Sequence, residues 1–166
     1  MTPRIALTLL TLLAAAPLAG CGFTPLYAQG DVSSQLAAID VVAPEGRTGY
    51  LIRQHLDDAL ARKQGVSPAY RMNLALGEAR YPRGVRIDNV ATRYEYVLTA
   101  SYELVSVATG VRAKRGTVRV ELTYDSADQP YASIAAQQDA QDRAAEEAAR
   151  RIQLELAVWL ANGAKS

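Results

Sequence analysis

Between Arg93 and Tyr124 the chain twice alternates apolar and polar side chains, and the two runs flank the step Thr109-Gly110. In the first run Tyr94, Tyr96, Leu98, Ala100, Tyr102 and Leu104 share one face. Arg93, Glu95, Thr99, Ser101 and Glu103 share the other together with Val97. In the second, Val118, Val120, Leu122 and Tyr124 alternate with Thr117, Arg119, Glu121 and Thr123. A strand turns successive side chains to opposite faces, so each run reads as a half-buried strand and the pair as an antiparallel hairpin. Register constrains the turn. A two-residue loop at Thr109-Gly110 would place Leu98 opposite Glu121 and set the apolar faces on opposite sides of the sheet. With Thr109-Gly110-Val111 as the loop, Tyr102 meets Val118, Ala100 meets Val120, Leu98 meets Leu122 and Tyr96 meets Tyr124, and the faces coincide. The three-residue loop is therefore expected, with Gly110 supplying a positive φ.

The remaining elements follow from the same two periodicities. Ile39 to Ala43 is a short apolar run stopped by Pro44-Glu45-Gly46, which suits a first strand. From Thr48 to about Gln64, Ile52, Leu56 and Leu60 recur every fourth residue ahead of Gly65, the pattern of an amphipathic helix. Tyr70, Met72, Leu74 and Leu76 alternate with Arg71, Asn73, Ala75 and Gly77 in a second strand, after which Pro82, Gly84 and Asp88-Asn89 predict a longer loop. Tyr131 to Leu160 contains neither Gly nor Pro and reads as one long helix ended by Asn162-Gly163. Its core stripe is read as Ile134, Gln138, Gln141, Ala145, Ala148, Ile152, Leu156 and Trp159. Asp139 with Arg143, Glu146 with Arg150 and Glu147 with Arg151 stand acid-before-base at i,i+4, as Asp58 does with Arg62 in the earlier helix, and stabilise exposed faces. A helical crossover makes the first two strands parallel, and a tight turn makes the last two antiparallel. The expected fold is thus α+β, a four-stranded mixed sheet with two helices packed on one face in the order β-α-β-β-β-α.

The N-terminus carries a different message. Arg4 precedes an apolar-and-threonine run from Ile5 to Ala16, and Pro17 leads to Leu18-Ala19-Gly20-Cys21. The run is shorter than the ~20 residues a membrane-spanning helix needs, and it reads as a secretory signal peptide over residues 1–20. Leu-Ala-Gly-Cys resembles the bacterial lipobox, after which the Cys sulfur carries a lipid, and Cys21 is the only cysteine in the chain. The mature protein would begin at Cys21 and be held on a membrane by several acyl chains such as palmitate, without spanning it. Residues 21–38 read as a lipidated tether, because Pro25 and Gly30 interrupt periodicity, and residues 39–166 as the folded domain. Phe23, Leu26 and Tyr27 are too apolar for a purely solvated linker.

Composition removes several function classes. One Cys and one His exclude a structural Cys/His zinc site and an intramolecular disulfide. Lys+Arg number 18 and Asp+Glu 17; removing Arg4, the one charged side chain among the first twenty residues, leaves 17 against 17. A formally neutral domain has no long-range field for nucleic acid. His55 beside the stripe of its helix lacks the second His, Cys or Ser that a catalytic or metal set needs, so it reads as a boundary residue. Asp57-Asp58 and Glu146-Glu147 are neighbours on helices and diverge, so neither forms a paired-carboxylate site. No nucleophile-elbow, zinc-helix, phosphate-loop or dinucleotide motif occurs. The chain reads as a non-enzyme without cofactor or metal.

Several segments together resemble one family. Cys21-Gly22-Phe23-Thr24-Pro25-Leu26-Tyr27 follows the lipobox. Arg93-Tyr94-Glu95 leads through Leu98-Thr99-Ala100-Ser101-Tyr102 to Thr109-Gly110, and Tyr131-Ala132-Ser133 opens an Ala-rich helix that contains Asp139-Ala140. In order and spacing these are similar to the LptE family of lipopolysaccharide-assembly lipoproteins. The resemblance implies a protein on the periplasmic face of the Gram-negative outer membrane. Such a protein plugs the lumen of the β-barrel LptD, assists its assembly and contacts lipopolysaccharide on its way to the cell surface. Nine Tyr suit such an interface role, offering apolar area with a polar tip. Gly22 in place of Asp after Cys21 departs from the inner-membrane retention signal of enteric bacteria and agrees with outer-membrane delivery. The alternative is another periplasmic lipoprotein adaptor, such as an accessory to a peptidoglycan synthase or a lipid-transport machine. For the lipid A phosphates that the resemblance implies as ligand, two basic groups compete: Arg80, Arg83, Arg86 and Arg93 at one end of the hairpin, and Arg112, Lys114 and Arg115 at the other. Arg112, Lys114 and Arg115 are the expected site, because no acidic residue lies between Glu103 and Glu121.

Overall fold

In a computed structural model that describes residues 30–63, 65–85, 91–126 and 129–164, the chain runs α1 (Gly30–Ala37), β1 (Ile39–Val42), α2 (Arg47–Ala59), β2 (Tyr70–Val85), β3 (Ala91–Ser106), β4 (Arg112–Asp125) and α3 (Pro130–Ala161). The sheet order is β1-β2-β3-β4, with β1 parallel to β2 and the other pairs antiparallel. This is the expected mixed sheet. Its length is new: β2 and β3 have 16 residues each, which at ~3.3 Å per residue is about 50 Å. The 32 residues of α3 rise about 48 Å at ~1.5 Å each and match it.

Three expectations about elements are corrected. Residues 30–37, assigned to the tether, form α1, and Val32 and Leu36, one helical turn apart, are buried in the common core. Gly30 costs little at the first helical position, where it interrupts no preceding turn. The folded unit therefore starts by Gly30 rather than Ile39, and it has a third helix, packed against α3. Cys21 lies outside the described residues. Helix α2 stops several residues before Gly65. Ala61 takes φ 50°, and the Ala61 and Arg62 N–H groups donate to the carbonyls of Asp58 and Asp57, a left-handed helix cap built without glycine. Strand β2, finally, continues through the segment expected as a loop. Beyond Asn73 it has no β1 neighbour, so a proline at position 82 removes no bond on that open edge.

The core lies between the helices and one face of the sheet. Met72, Leu98, Leu104, Val120, Ile52, Leu56, Ile152 and Leu156 are fully buried there. In α3 the first half of the stripe differs from expectation: Ile134 is half exposed and Gln138 exposed, while Ala140, Ala144, Ala145, Ala148 and Ala149 are buried. Small side chains let α3 lie close to α2 and to the sheet, and apolarity alone did not mark that face. Gly163 at φ 72°, with bonds from Gly163 and Ala164 back to Leu160 and Trp159, ends the helix where Asn162-Gly163 predicted. Among the described residues no helix is long and apolar enough to cross a membrane.

Candidate functional site

The residues expected to bind phosphate sit where β4 leaves the hairpin turn, and the turn departs from the expected geometry. Ser106 N–H donates to Val111 O (2.9 Å) and Gly110 N–H to Ser106 O (2.8 Å), enclosing a four-residue loop, Val107 to Gly110. Gly110 has the predicted positive φ, 68°. A four-residue loop alone would put the apolar faces on opposite sides. A bulge corrects the parity: Val105 pairs with Arg112 but Leu104 with Lys114, and Ala113 is the extra residue. From there Ala100 faces Val118, Leu98 faces Val120, Tyr96 faces Leu122 and Tyr94 faces Tyr124. The apolar faces coincide as required, two residues away from the predicted register.

The bulge also distributes the three basic side chains. Arg115 stands opposite Glu103 and Arg112 opposite Val105, both on the face of the sheet away from the helices. Lys114 stands opposite the buried Leu104, on the helix side, and is half-buried. The group therefore splits two and one. Glu103 reaches across to Arg112, whose Nη1 donates to Glu103 Oε1 at 3.1 Å. A carboxylate from the neighbouring strand thus supplies the acid missing from the local sequence.

On that outer face lies an open depression of about 610 Å³, with Asn73, Ser101, Glu103, Arg112, Arg115 and Thr117 around its rim and Ala75 in its floor. Small residues on three neighbouring strands leave the hollow, and the Ser101 and Thr117 hydroxyls are hydrogen-bonded to each other at 3.0 Å. Two guanidiniums, a carboxylate, two hydroxyls and an amide converge on it, a donor-rich set suited to an oxyanion. In the sequence Arg112 and Arg115 were singled out, whereas Asn73, Ser101, Glu103 and Thr117 showed only as the polar half of an alternation. Register across three strands is what gathers them.

Behind this face a buried phenol, Tyr102, ties the sheet directly to α3, and a second, Tyr96, bonds within the sheet to a β2 carboxylate that α3 also reaches. Tyr102 Oη donates to Glu155 Oε2 at 2.7 Å, and Tyr96 Oη to Glu78 Oε2 at 2.6 Å. Burial, and then the carboxylate each hydroxyl serves, push both phenols well above the ordinary tyrosine value, so they stay neutral donors. Gln141 Nε2 also donates to Glu78 Oε2, at 3.3 Å.

The other residues singled out from sequence lie elsewhere. Arg83 is bonded to Glu95 and Arg93 to Asp125, at the opposite end of the hairpin, while the Arg80 guanidinium lies 4.9 Å from the centre of the Tyr94 ring. Arg86 lies outside the described residues. His55 Nε2 is 2.9 Å from Asp142 Oδ1 and joins α2 to α3. Asp58 does not hold Arg62, which instead reaches Asp40 and the Ile39 carbonyl. Asp57 has one carboxylate oxygen buried without a partner, and burial raises its pKa despite nearby Arg53 and Arg62. Arg143 takes Asp139 as expected, whereas Arg150 and Arg151 both take Glu147 and leave Glu146 aside.

The family description that reads LptE, lipopolysaccharide-assembly, matches residues 36–156. A candidate lipoprotein of Caulobacter crescentus CB15 is 52% identical, with 80% of this chain and 97% of that one aligned at a TM-score of 0.70. Rare lipoprotein B of Shewanella oneidensis shares the fold at 14% identity and a TM-score of 0.58, covering 76% of this chain and 97% of its own. Lipoprotein B of Nitrosomonas europaea does so at 12% and 0.57, covering 75% and 84%. No curated protein matches the chain by sequence. The family match spans α2, the whole sheet and most of α3, and on that ground this protein belongs to the LptE family of lipopolysaccharide-assembly proteins.

Proposed function

We propose that the mature chain is an outer-membrane lipoprotein, acylated on Cys21, that plugs the LptD β-barrel, assists its assembly and takes part in delivering lipopolysaccharide to the cell surface. The observation that carries this reading is the family match over residues 36–156. Two physical features support it. The face of the sheet away from the helices is largely polar, with Asn73, Thr99, Ser101, Thr117, Arg119 and Glu121 beside the apolar Ala75 and Val97, which suits a surface enclosed by the wet interior of a barrel. Strands of about 50 Å are also roughly twice as long as the ~25 Å apolar band of such a barrel, so a plug of this length passes through it and projects. Lipid A phosphates would meet Arg112 and Arg115 at the outer depression, with Lys114 approaching from the helix side. The protein acts by binding and positioning, not by catalysis.

Affinity capture of the full chain from detergent-solubilised envelopes tests the reading. An outer-membrane β-barrel is the expected partner, lost when the sheet face is altered by Thr117→Arg and Thr99→Arg together. Recovery of a peptidoglycan synthase or an ATP-driven exporter in its place would transfer the protein to the adaptor class. Mass spectrometry of the mature N-terminus tests the anchor separately: a start other than Cys21, or a Cys21 without acyl mass, overturns it.

A further inference from the structure

At the β3–β4 tip, two loops form one end of the domain, and neither contributes an acid. The tip is fastened to the α2–β2 loop by the hydrogen bond from Val107 N–H to Ala69 O, 2.9 Å. No Asp or Glu occurs from Ala59 to Gly77 or from Leu104 to Val120. Three apolar side chains of these loops are exposed: Val66 at 44%, Val107 at 49% and Val111 at 64%. The same loops and the strand ends that meet them carry Lys63, Arg71, Arg112, Lys114 and Arg115. Asp40 reaches Arg71 only at 4.0 Å, and Glu103 reaches Arg112. Among the described residues Lys63, Lys114 and Arg115 make no ion pair. The opposite end differs, since its Arg83 and Arg93 are each held by a carboxylate. In a chain whose mature charge is balanced, positive charge has been gathered at one end and apolar side chains placed at its point.

Such a surface fits one kind of partner. Exposed valines are costly in water, and a ring of cations without acids attracts an anionic sheet. A protein partner could match the valines or the cations at particular points, whereas a lipid leaflet offers phosphates all around a yielding apolar interior and satisfies both at once. We propose that this end of the domain rests on the leaflet surface, with Val107 and Val111 in the boundary between headgroups and acyl chains and the basic ring on phospholipid phosphates. The inference goes beyond the barrel-plug function and gives the orientation of the domain before a barrel encloses it, since inside the lumen the barrel wall stands between this end and the leaflet. It draws strength from the proposed acylation of Cys21, because only eight residues, Gly22 to Gln29, separate that anchor from α1, a distance of at most about 30 Å. Held that close, even a weak surface contact is occupied most of the time.

The test uses the sole cysteine. In the acylated chain Cys21 is blocked, so Val111→Cys provides one free thiol for a spin label, and Tyr131→Cys at the start of α3 provides a control. Both chains are reconstituted in vesicles of phosphatidylethanolamine and phosphatidylglycerol. The expected result is that the label at position 111 loses most of its accessibility to a water-soluble nickel complex and gains accessibility to oxygen, while the label at 131 keeps its aqueous values. The difference should disappear in phosphatidylcholine vesicles, at ~1 M salt, where screening acts over about 3 Å, and when Arg112, Lys114 and Arg115 are changed to Gln. Equal aqueous accessibility at 111 and 131 in the anionic vesicles overturns the proposal, as does protection at 111 that ignores both salt and the Gln changes. If the native chain itself takes up label, Cys21 is unacylated and the anchor falls. The same comparison on the Cys21→Ser background, with the chain added to the vesicles, then decides the docking by itself.

Discussion

Tyr102 stands directly opposite Gly116 in the β3–β4 ladder, and the Tyr102 ring occupies the space a side chain at 116 would need. A Cβ built on Gly116 would lie 2.5 Å from the ring and hydroxyl. The missing side chain is what lets Tyr102 lie over the edge strand and carry its hydroxyl to Glu155 on α3. Glycine is required here for proximity, since its φ is unremarkable. Gly116→Ala should therefore cost about 2 kcal/mol, within the usual range for overpacking. Urea unfolding of the variant beside Gly116→Ala in a Tyr102→Leu background checks it: the cost should largely vanish once the ring is gone.

Gly110 poses the complementary case, with open space around its Cβ but φ at 68°. Gly110→Val should destabilise by roughly 1 kcal/mol or more from backbone strain alone. A chemical-denaturation midpoint equal to that of the native chain would contradict the left-handed turn.

Asp57 predicts a pH effect of unusual sign. Burial raises its folded pKa above the ordinary 3.8, so the folded state binds the proton more tightly than the unfolded chain. The destabilisation it causes is fully present at neutral pH, shrinks as pH falls through the raised value, and is gone below the ordinary one. Asp57→Asn should stabilise at pH 7 by about 0.5 kcal/mol or less, since the side chain is partly solvated, and should make no difference near pH 3. Parallel denaturation series at the two pH values measure this.

Glu147 behaves in the opposite way. Hydrogen bonds from Arg150 and Arg151 hold its carboxyl down to about 2. A lowered folded value means stability that is present above the ordinary 4.5 and is lost as pH falls from there through about 2. The pair network is exposed and screened by salt, so the amount is a few tenths of a kcal/mol. Carbon-detected NMR titration should give a Glu147 midpoint near 2 that rises toward the ordinary value when Arg150 and Arg151 are both changed to Gln.

For lipopolysaccharide, changing Arg112, Lys114 and Arg115 of the mature chain to Gln should weaken binding about tenfold, or ~1.4 kcal/mol, through lost charge-assisted contacts. Changing Arg83 and Arg93, already held by Glu95 and Asp125, should leave it unaltered. Glu103→Gln should tighten binding by releasing Arg112. Unchanged affinity in the triple variant, or a larger loss in the Arg83 and Arg93 variant, moves the site elsewhere.

Periodicity carries local information, and what rests on it was legible in the residues. The alternations at Tyr94–Leu104 and Val118–Tyr124 became strands on the predicted face, and the run without Gly or Pro became α3. Their order implied the mixed sheet. The same pattern demanded coincident apolar faces but was silent about how to reach them, because a three-residue loop and a four-residue loop with a bulge at Ala113 satisfy parity equally. Helix α1 was hidden because a short segment with two apolar residues, Val32 and Leu36, has no strong period of its own. Its stability comes from docking on α3. The continuation of β2 past Pro82 likewise depends on which edge of the sheet is open. The candidate site shows the division most clearly. Arg112, Lys114 and Arg115 are adjacent in the chain, yet the bulge and the pleat send Lys114 to the helix side and bring Glu103, Ser101 and Asn73 from two other strands to the remaining pair. Side chains on one strand alternate by geometry that any sequence reveals. The partners they meet across strands are set by register, which is a property of the folded sheet.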